Sequence, residues 1–235
     1  MGELRVSHGG GLTSCLSVIL HEVSLYRERA GIYPTSIDAS GCFRTTGDRR
    51  AASRLLAPSS QYFGEEIKFD HGQQMALYND LDLTALRTLA RFYCWPSQEV
   101  IDHAQRLKSK VGGRTAVLYR GLDKSKEIPR HKYEAMFEAA RKAGGPYVVQ
   151  TDELEFLKAF TRQFPDSIPM PGSRQRPYSK EAVIVGRSEE HVGFFAALYT
   201  ISEAPKMVTT TGNTALWPYI WRGHTDGCYQ ITPQE

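Results

Sequence analysis

The chain has 235 residues, 41% of them hydrophobic and 23% charged, enough for one large domain or two small ones, each with its own core, and unlike a disordered or fibrous chain. A net charge of +3, with no lysine/arginine run, argues against a protein that tracks a nucleic-acid backbone and suits an anionic small ligand. No stretch approaches the length that spans a bilayer, so the chain reads as soluble: cytoplasmic, a trimmed secretory-pathway protein, or a domain of a larger one.

Leu4 to Ser7 reads as a short strand. It runs through His8-Gly9-Gly10-Gly11-Leu12-Thr13-Ser14 into a helix whose apolar positions, Leu12, Leu16, Ile19, Leu20, Val23 and Tyr26, recur at helical spacing until Gly31 ends them. Strand, glycine loop and helix start together make a phosphate cradle, because glycines allow close backbone approach and the first helical amides are unpaired. A tight turn with no ligand explains a glycine run equally well. Tyr33 to Asp38 is expected as a second strand and Ala39 to Ser60 as a long surface excursion on the acceptor side. Short strands are expected at Gln61–Phe63 and Glu66–Phe69. Helical stripes follow at Leu83, Leu86, Leu89, Ala90 and Tyr93, and, after Ser97 as N-cap, at Val100, Ala104, Leu107 and Val111. The diglycine Gly112-Gly113 is the expected domain boundary, dividing residues 1–111 from 112–235.

Beyond it strands and helices alternate, the pattern of a parallel doubly wound domain. Strands are expected at Thr115–Tyr119, Tyr147–Gln150, Ser167–Pro169 and Lys206–Thr209. Helices are expected over Tyr133–Ala140, Leu154–Phe160, Val192–Tyr199 and Leu216–Ile220, with Asp152 or Thr151 capping the second of these and a basic polar loop at Gly172–Lys180.

Candidate chemistry gathers at the strand ends. The apolar run Ala116-Val117-Leu118 breaks into Tyr119-Arg120-Gly121-Leu122-Asp123-Lys124. Parallel sheets bind ligands outside such ends, and a guanidinium there can hold two phosphate oxygens and stabilise a departing diphosphate. Asp123, Lys124 and Glu127 are the acid-base candidates; a solvated charged turn is their bland alternative. Thr211-Gly212-Asn213-Thr214 at a helix start is a second phosphate cradle, with N-capping as its alternative. Asp80-Leu81-Asp82 has the form of a cation pair, but Asp82 is read as a cap, and no histidine spacing implies a metal site. The scattered Cys15, Cys42, Cys94 and Cys228 form no Cys-x-x-Cys pair and read as reduced thiols. An anionic, diphosphate-bearing ligand between two cradles points to a nucleotide-sugar glycosyltransferase.

The same stretches resemble the superfamily of α1,6-, nodulation and protein O-fucosyltransferases. Gly9 through Leu16 is similar to its glycine loop and helix, Arg120 through Lys124 to its Arg-Arg-x-Asp-Lys signature, and Thr151-Asp152-Glu153 to its Thr-Asp-Asp. Gly193 through Ala204 is similar to the helix that leads to its last phosphate loop. The resemblance implies an α/β GT-B-like fold of two Rossmann-like domains facing a cleft, in compact form. It implies metal-independent inverting transfer, with donor binding mainly by residues 112–235 and acceptor binding by residues 1–111. Arg120, Asp123 and Lys124 then match catalytic positions, and Glu127 lies one place from another. Gly10, Gly11, Thr13, Ser14, Thr211, Gly212, Asn213 and Thr214 match donor-binding loops, with Asp152 and Glu153 as acceptor-side or supporting residues. Leu118 and Ala197 stand where the family's guanine-reading histidine and aspartate are expected. L-Fucose from GDP-fucose onto a glycan hydroxyl is the favoured transfer; a UDP-sugar donor, or a non-catalytic glycan- or nucleotide-binding module, are the alternatives. No cofactor, nucleic acid or membrane partner is implied.

Overall fold

Leu4 and Val6 alternate with exposed neighbours and make β1 (Glu3–Ser7), in a computed structural model that describes residues 2–43, 50–58, 61–122, 133–175 and 188–232. Helix α1 (Leu12–Ala30) buries Cys15, Leu16, Ile19, Leu20 and Val23 along one face. It stops at Gly31, whose φ of 72° suits glycine and lets its amide bond Arg27 O. Strand β2 (Ser36–Gly41) pairs in parallel with β1. It begins later than the sequence implies, because Pro34 has no N–H to give and Tyr33 is buried as a core side chain.

The expected surface excursion over 39–60 is partly wrong. Cys42 and Phe43 are buried, and a short helix α2 (Ala51–Leu55) buries Ala51 and Leu55; residues 44–49 and 59–60 lie outside the described ones. The strands expected at Gln61–Phe63 and Glu66–Phe69 do not form. Their backbone is satisfied by side chains instead: Ile67 N donates to Tyr33 Oη at 2.6 Å, Phe69 N to Ser24 Oγ at 3.0 Å, and Ser24 Oγ to Ile67 O at 3.2 Å. With those groups paired, no neighbouring strand is needed. Two 3-10 turns follow, His71–Met75 and Tyr78–Asp80, the first closed by an Asp70/Gln73 capping box. Helix α3 (Leu83–Tyr93) is capped by Asp82 and α4 (Gln98–Val111) by Ser97, as the sequence implies.

The second sheet is built from β3 (Thr115–Tyr119), β4 (Tyr147–Thr151), β5 (Ile168–Pro169), β6 (Met207–Thr209) and β7 (Cys228–Gln230). Between and around them run α5 (Tyr133–Ala143), α6 (Leu154–Gln163), α7 (Ser188–Ser202) and α8 (Asn213–Arg222). All five strands are parallel, in the order β5-β4-β3-β6-β7. Every residue of β3 and β4 is buried, the near-continuous apolar pattern of a sheet covered on both faces. The short β7 carries no strong sequence signal; its backbone pairing with β6 makes it a strand.

The two faces of this sheet have different cores. Val117, Tyr119, Phe137, Phe156 and Phe160 pack on one side, with Tyr119 stacked on Phe156 at 4.1 Å. Ala116 and Leu118 face the other, which continues through α7 and α8 into α1, α3 and β1 as one cluster. Helix α8 joins the halves: the Trp217 indole donates to Ser17 Oγ at 3.0 Å and the Trp221 indole to Cys94 O at 3.2 Å. Both indoles are essentially buried, each worth roughly 1.5–3 kcal/mol of transfer or more. The four cysteines are free. Among the described residues no helix is long and apolar enough to cross a membrane.

Candidate functional site

The strand order places a switch point between β3 and β6, since the chain leaves β3 toward β4 and β5 and later returns to β3's other edge. A crevice opens beyond the carboxyl ends of such a pair. Arg120 follows β3 there, and Thr210, Thr211 and Gly212 follow β6. Gly212 has φ of 112°, is the N-cap of α8 and supplies no side-chain cap, so the amides of Asn213 and Thr214 precede the first intrahelical bonds. Arg120 Nη1 donates to Thr214 Oγ1 at 3.3 Å. With that oxygen accepting, the Thr214 proton can go to Thr13 Oγ1, 3.2 Å away in the first turn of α1. Helix α1 is likewise capped by a glycine, Gly11, without a side-chain bond. Two uncapped helix N-termini and an arginine therefore meet at one point. All three favour an anion.

The arginine is held from behind. Asp152 at the end of β4 accepts from Gly121 N at 2.9 Å and lies 3.6 Å from Arg120 Nε. Asp152 does not cap α6 as expected, and neither does Thr151, whose Oγ1 accepts only from Glu153 N at 3.1 Å. The N-cap is Glu153, fully buried and hydrogen-bonded by the Tyr133 hydroxyl. Its carboxylate sits where a Cβ on residue 121 would be, 1.6 Å from Oε2. Glycine at 121 is therefore a packing requirement.

In the glycine loop the three glycines differ. A Cβ on Gly10 would lie 2.3 Å from His8 Nε2, whereas Gly9 and Gly11 have no neighbouring atom within 4 Å of that position. Gly10 makes room for a histidine; Gly9 and Gly11 are exposed and open to solvent. His8 Nε2 lies 2.8 Å from Ser14 Oγ, which is also 3.4 Å from His71 Nε2. His71 Nδ1 faces Gln74 Nε2 at 3.4 Å. Burial, then His8 and His21 nearby, hold His71 below the usual histidine range, with Asp70 opposing. The turn carrying His71 and Gln74 is docked on the α8 loop: Gly212 N donates to Gln74 O at 2.8 Å and to Tyr78 Oη at 3.1 Å. Burial pushes the Tyr78 hydroxyl well up, so it stays a neutral donor and acceptor.

The structure thus brings Gly10, Gly11, Thr13, Ser14, Arg120, Thr211, Gly212, Asn213 and Thr214 to one rim, with Asp152 and Glu153 behind. Asp123, Lys124 and Glu127 lie outside the described residues. Thr211 Oγ1 and Asn213 Oδ1 are buried and have no hydrogen-bond partner among the described residues, an unmet demand at the mouth of α8. Leu118 and Ala197 are both buried and apolar. Among the described residues no group of histidines, cysteines and carboxylates has a metal-holding arrangement. A cavity of about 140 Å³ lined by Lys108, Arg114, Met170, Thr200 and Glu203 opens where β3 and β6 begin, and it touches none of these candidates. Sequence reading missed His8, His71, Gln74 and Tyr78. His8 directly before the glycines was the one available signal; His71 sits in an aperiodic stretch that only the fold brings to α1.

This architecture is an α/β fold of the GT-B-like class, with parallel sheets and helix N-termini turned toward a shared rim. It matches the crystal structure of NodZ alpha-1,6-fucosyltransferase soaked with GDP-fucose at a TM-score of 0.59 and 13% identity, covering 93% of this chain and 92% of that one. It also matches fucosyltransferase NodZ from Bradyrhizobium at 0.56 and 14% identity, covering 88% and 87%. The same enzyme co-crystallized with GDP gives 0.55 and 14%, again covering 88% and 87%. No protein-family profile and no curated protein sequence matches the chain.

Proposed function

We propose that the protein is an inverting glycosyltransferase that takes a nucleoside-diphosphate sugar and transfers the sugar to a glycan hydroxyl. One observation carries this reading: the contact chain from Arg120 through Thr214 to Thr13, which joins a guanidinium to two uncapped helix N-termini at the switch point. Transfer by a single displacement breaks the bond between the sugar's anomeric carbon and the diphosphate while the acceptor oxygen forms its own. Negative charge grows on the diphosphate oxygen as that happens. Arg120 and the amides of α1 and α8 would oppose it, a contribution of several kcal/mol when such donors are already in place. Asp152 fixes the guanidinium's direction. The acceptor proton would pass to Asp123 or Glu127, and residues 1–111 would carry most of the acceptor contacts.

GDP-fucose is the favoured donor, on the resemblance of the glycine loop and the Arg120–Lys124 stretch and on the fold shared with fucosyltransferases. A second reading, a donor with another base such as a UDP-sugar, is favoured by Leu118 and Ala197, which cannot hydrogen-bond a guanine. Calorimetric titration with GDP-, UDP-, CDP- and dTDP-sugars separates the two. Binding of one class, followed by glycosylated product from a mixed glycan acceptor pool, supports the transferase. Tight binding with neither transfer nor donor hydrolysis would reduce the protein to a binding module, and binding of none would overturn the proposal.

A further inference from the structure

His8 and His71 converge on one hydroxyl. Ser14 lies in the first turn of α1, and its Oγ is 2.8 Å from His8 Nε2 and 3.4 Å from His71 Nε2. The Gln74 amide, 3.4 Å from His71 Nδ1, completes a chain in which each group donates to the next. With His71 as its Nε2–H tautomer, Gln74 donates to His71 Nδ1, His71 Nε2–H to Ser14, and Ser14 to His8 Nε2; the opposite tautomer reverses the chain. Reversing the Ser14 hydroxyl and turning over the Gln74 amide lets one added proton be shared between the two rings. Protonation of His71 is disfavoured by its surroundings. Burial and the neighbouring imidazoles of His8 and His21 hold His71 down, and a cation at the N-terminus of a helix opposes its dipole.

The charged and titratable groups near His71 are His8 and His21 from the loop and α1 and Asp70 from its own turn, Asp70 itself lying 3.7 Å from His21; the α8 loop touches the turn through Gly212 N on Gln74 O. Arg120 lies beyond Thr214. Only Asp70 favours protonation. Two observations say what the site lacks: the open space over Gly9 and Gly11, and the buried Thr211 hydroxyl without an acceptor among the described residues. A diphosphate bridging α1 and α8 would answer both and reverse the electrostatics, because an adjacent anion raises an imidazole's pKa.

We propose that His8 and His71 are ligands of the donor diphosphate and that the site takes up a proton when the sugar nucleotide binds. The inference rests on the transferase reading of this same rim. Its sign follows from linkage: His71, held low in the free protein, is raised by the anion in the complex, so the added affinity is present at low pH and lost as pH rises through the value in the complex.

The test uses GDP-fucose and UDP-glucose, whose diphosphate diesters do not titrate near neutrality, so that any proton taken up belongs to the protein. Binding to the full chain is measured between pH 6 and pH 8 in two buffers of different ionisation enthalpy. The expected result is uptake approaching about one proton per ligand and an affinity that falls by up to about tenfold per pH unit. His8→Gln and His71→Gln, checked for an unchanged melting transition, should each flatten that dependence, while His21→Gln should keep it. Binding with equal heats in both buffers and no pH dependence would overturn this inference and leave the transferase standing. Binding of neither donor moves the same two-buffer measurement to the CDP- and dTDP-sugars, and binding of none of the four classes would overturn both.

Discussion

The N-termini of α1 and α8 meet through Thr13 and Thr214 and look alike in outline: each is capped by glycine, and neither has a side-chain cap. Their surroundings differ in kind. The α8 end has a permanent cation, Arg120, and neutral hydroxyls; the α1 end has two imidazoles that share Ser14. Helices α3 and α4, away from this rim, are closed by Asp82 and Ser97. A helix end left without a side-chain cap keeps its amides free for a ligand; α2 and α6 also lack such a cap, so it is the meeting of two open ends with Arg120 that sets the rim apart. Of the two open ends, one carries a charge that is fixed at every pH, and the other carries imidazoles, of which His71 is held low by burial.

Each substitution below tests one side of that pairing. The largest effect is expected from Trp217→Ala, which empties the buried contact between α8 and α1 and removes the indole's hydrogen bond to Ser17 Oγ. It should cost about 3–5 kcal/mol in chemical denaturation, enough to break the alignment of the two ends. Arg120→Ala removes the fixed cation and should lower turnover by about 10²–10³-fold with the melting transition little changed, since the side chain is about a third exposed at 32%. Thr214→Val keeps the shape but unlinks Arg120 from Thr13; a loss of about 0.5–1.5 kcal/mol in stability is expected, with a measurable rise in KM. The smallest effect is on pH dependence. His71 is depressed in the folded state, so the stability it supports is present above the unfolded histidine value of about 6.5 and is lost as pH falls through the folded one. His103 behaves likewise, through burial and then Arg106 and Lys110. Thermal melts from pH 7 to pH 5 should therefore drop less steeply in His71→Gln than in wild type.

How much of this was legible in the sequence depended on periodicity. The helices of α1, α3 and α4 and the strands β3 and β4 announce themselves through apolar spacing, and Gly31, Asp82 and Ser97 mark their ends. Arg120 and the two glycine-led helix starts were legible for the same reason, since each follows a strand. Residues 61–70 were not: Ile67 and Phe69 look like a strand, yet Tyr33 and Ser24 satisfy their backbone from elsewhere in the chain. Asp152 reads as a helix cap in sequence and turns instead to Gly121 and Arg120, because β4 lies beside β3. His71 could not be placed by any local pattern. The docking of its turn on Gly212, with Phe69 held by Ser24 on α1, brings it to Ser14.

The most direct measurement compares wild type with Arg120→Ala in calorimetric titration against the sugar nucleotide that wild type binds, with both melting curves recorded. Binding weakened by at least about tenfold, roughly 1.4 kcal/mol, in a variant that melts as wild type does is the expected result. Undiminished affinity in Arg120→Ala, or a wild-type protein that binds no sugar nucleotide, would contradict it.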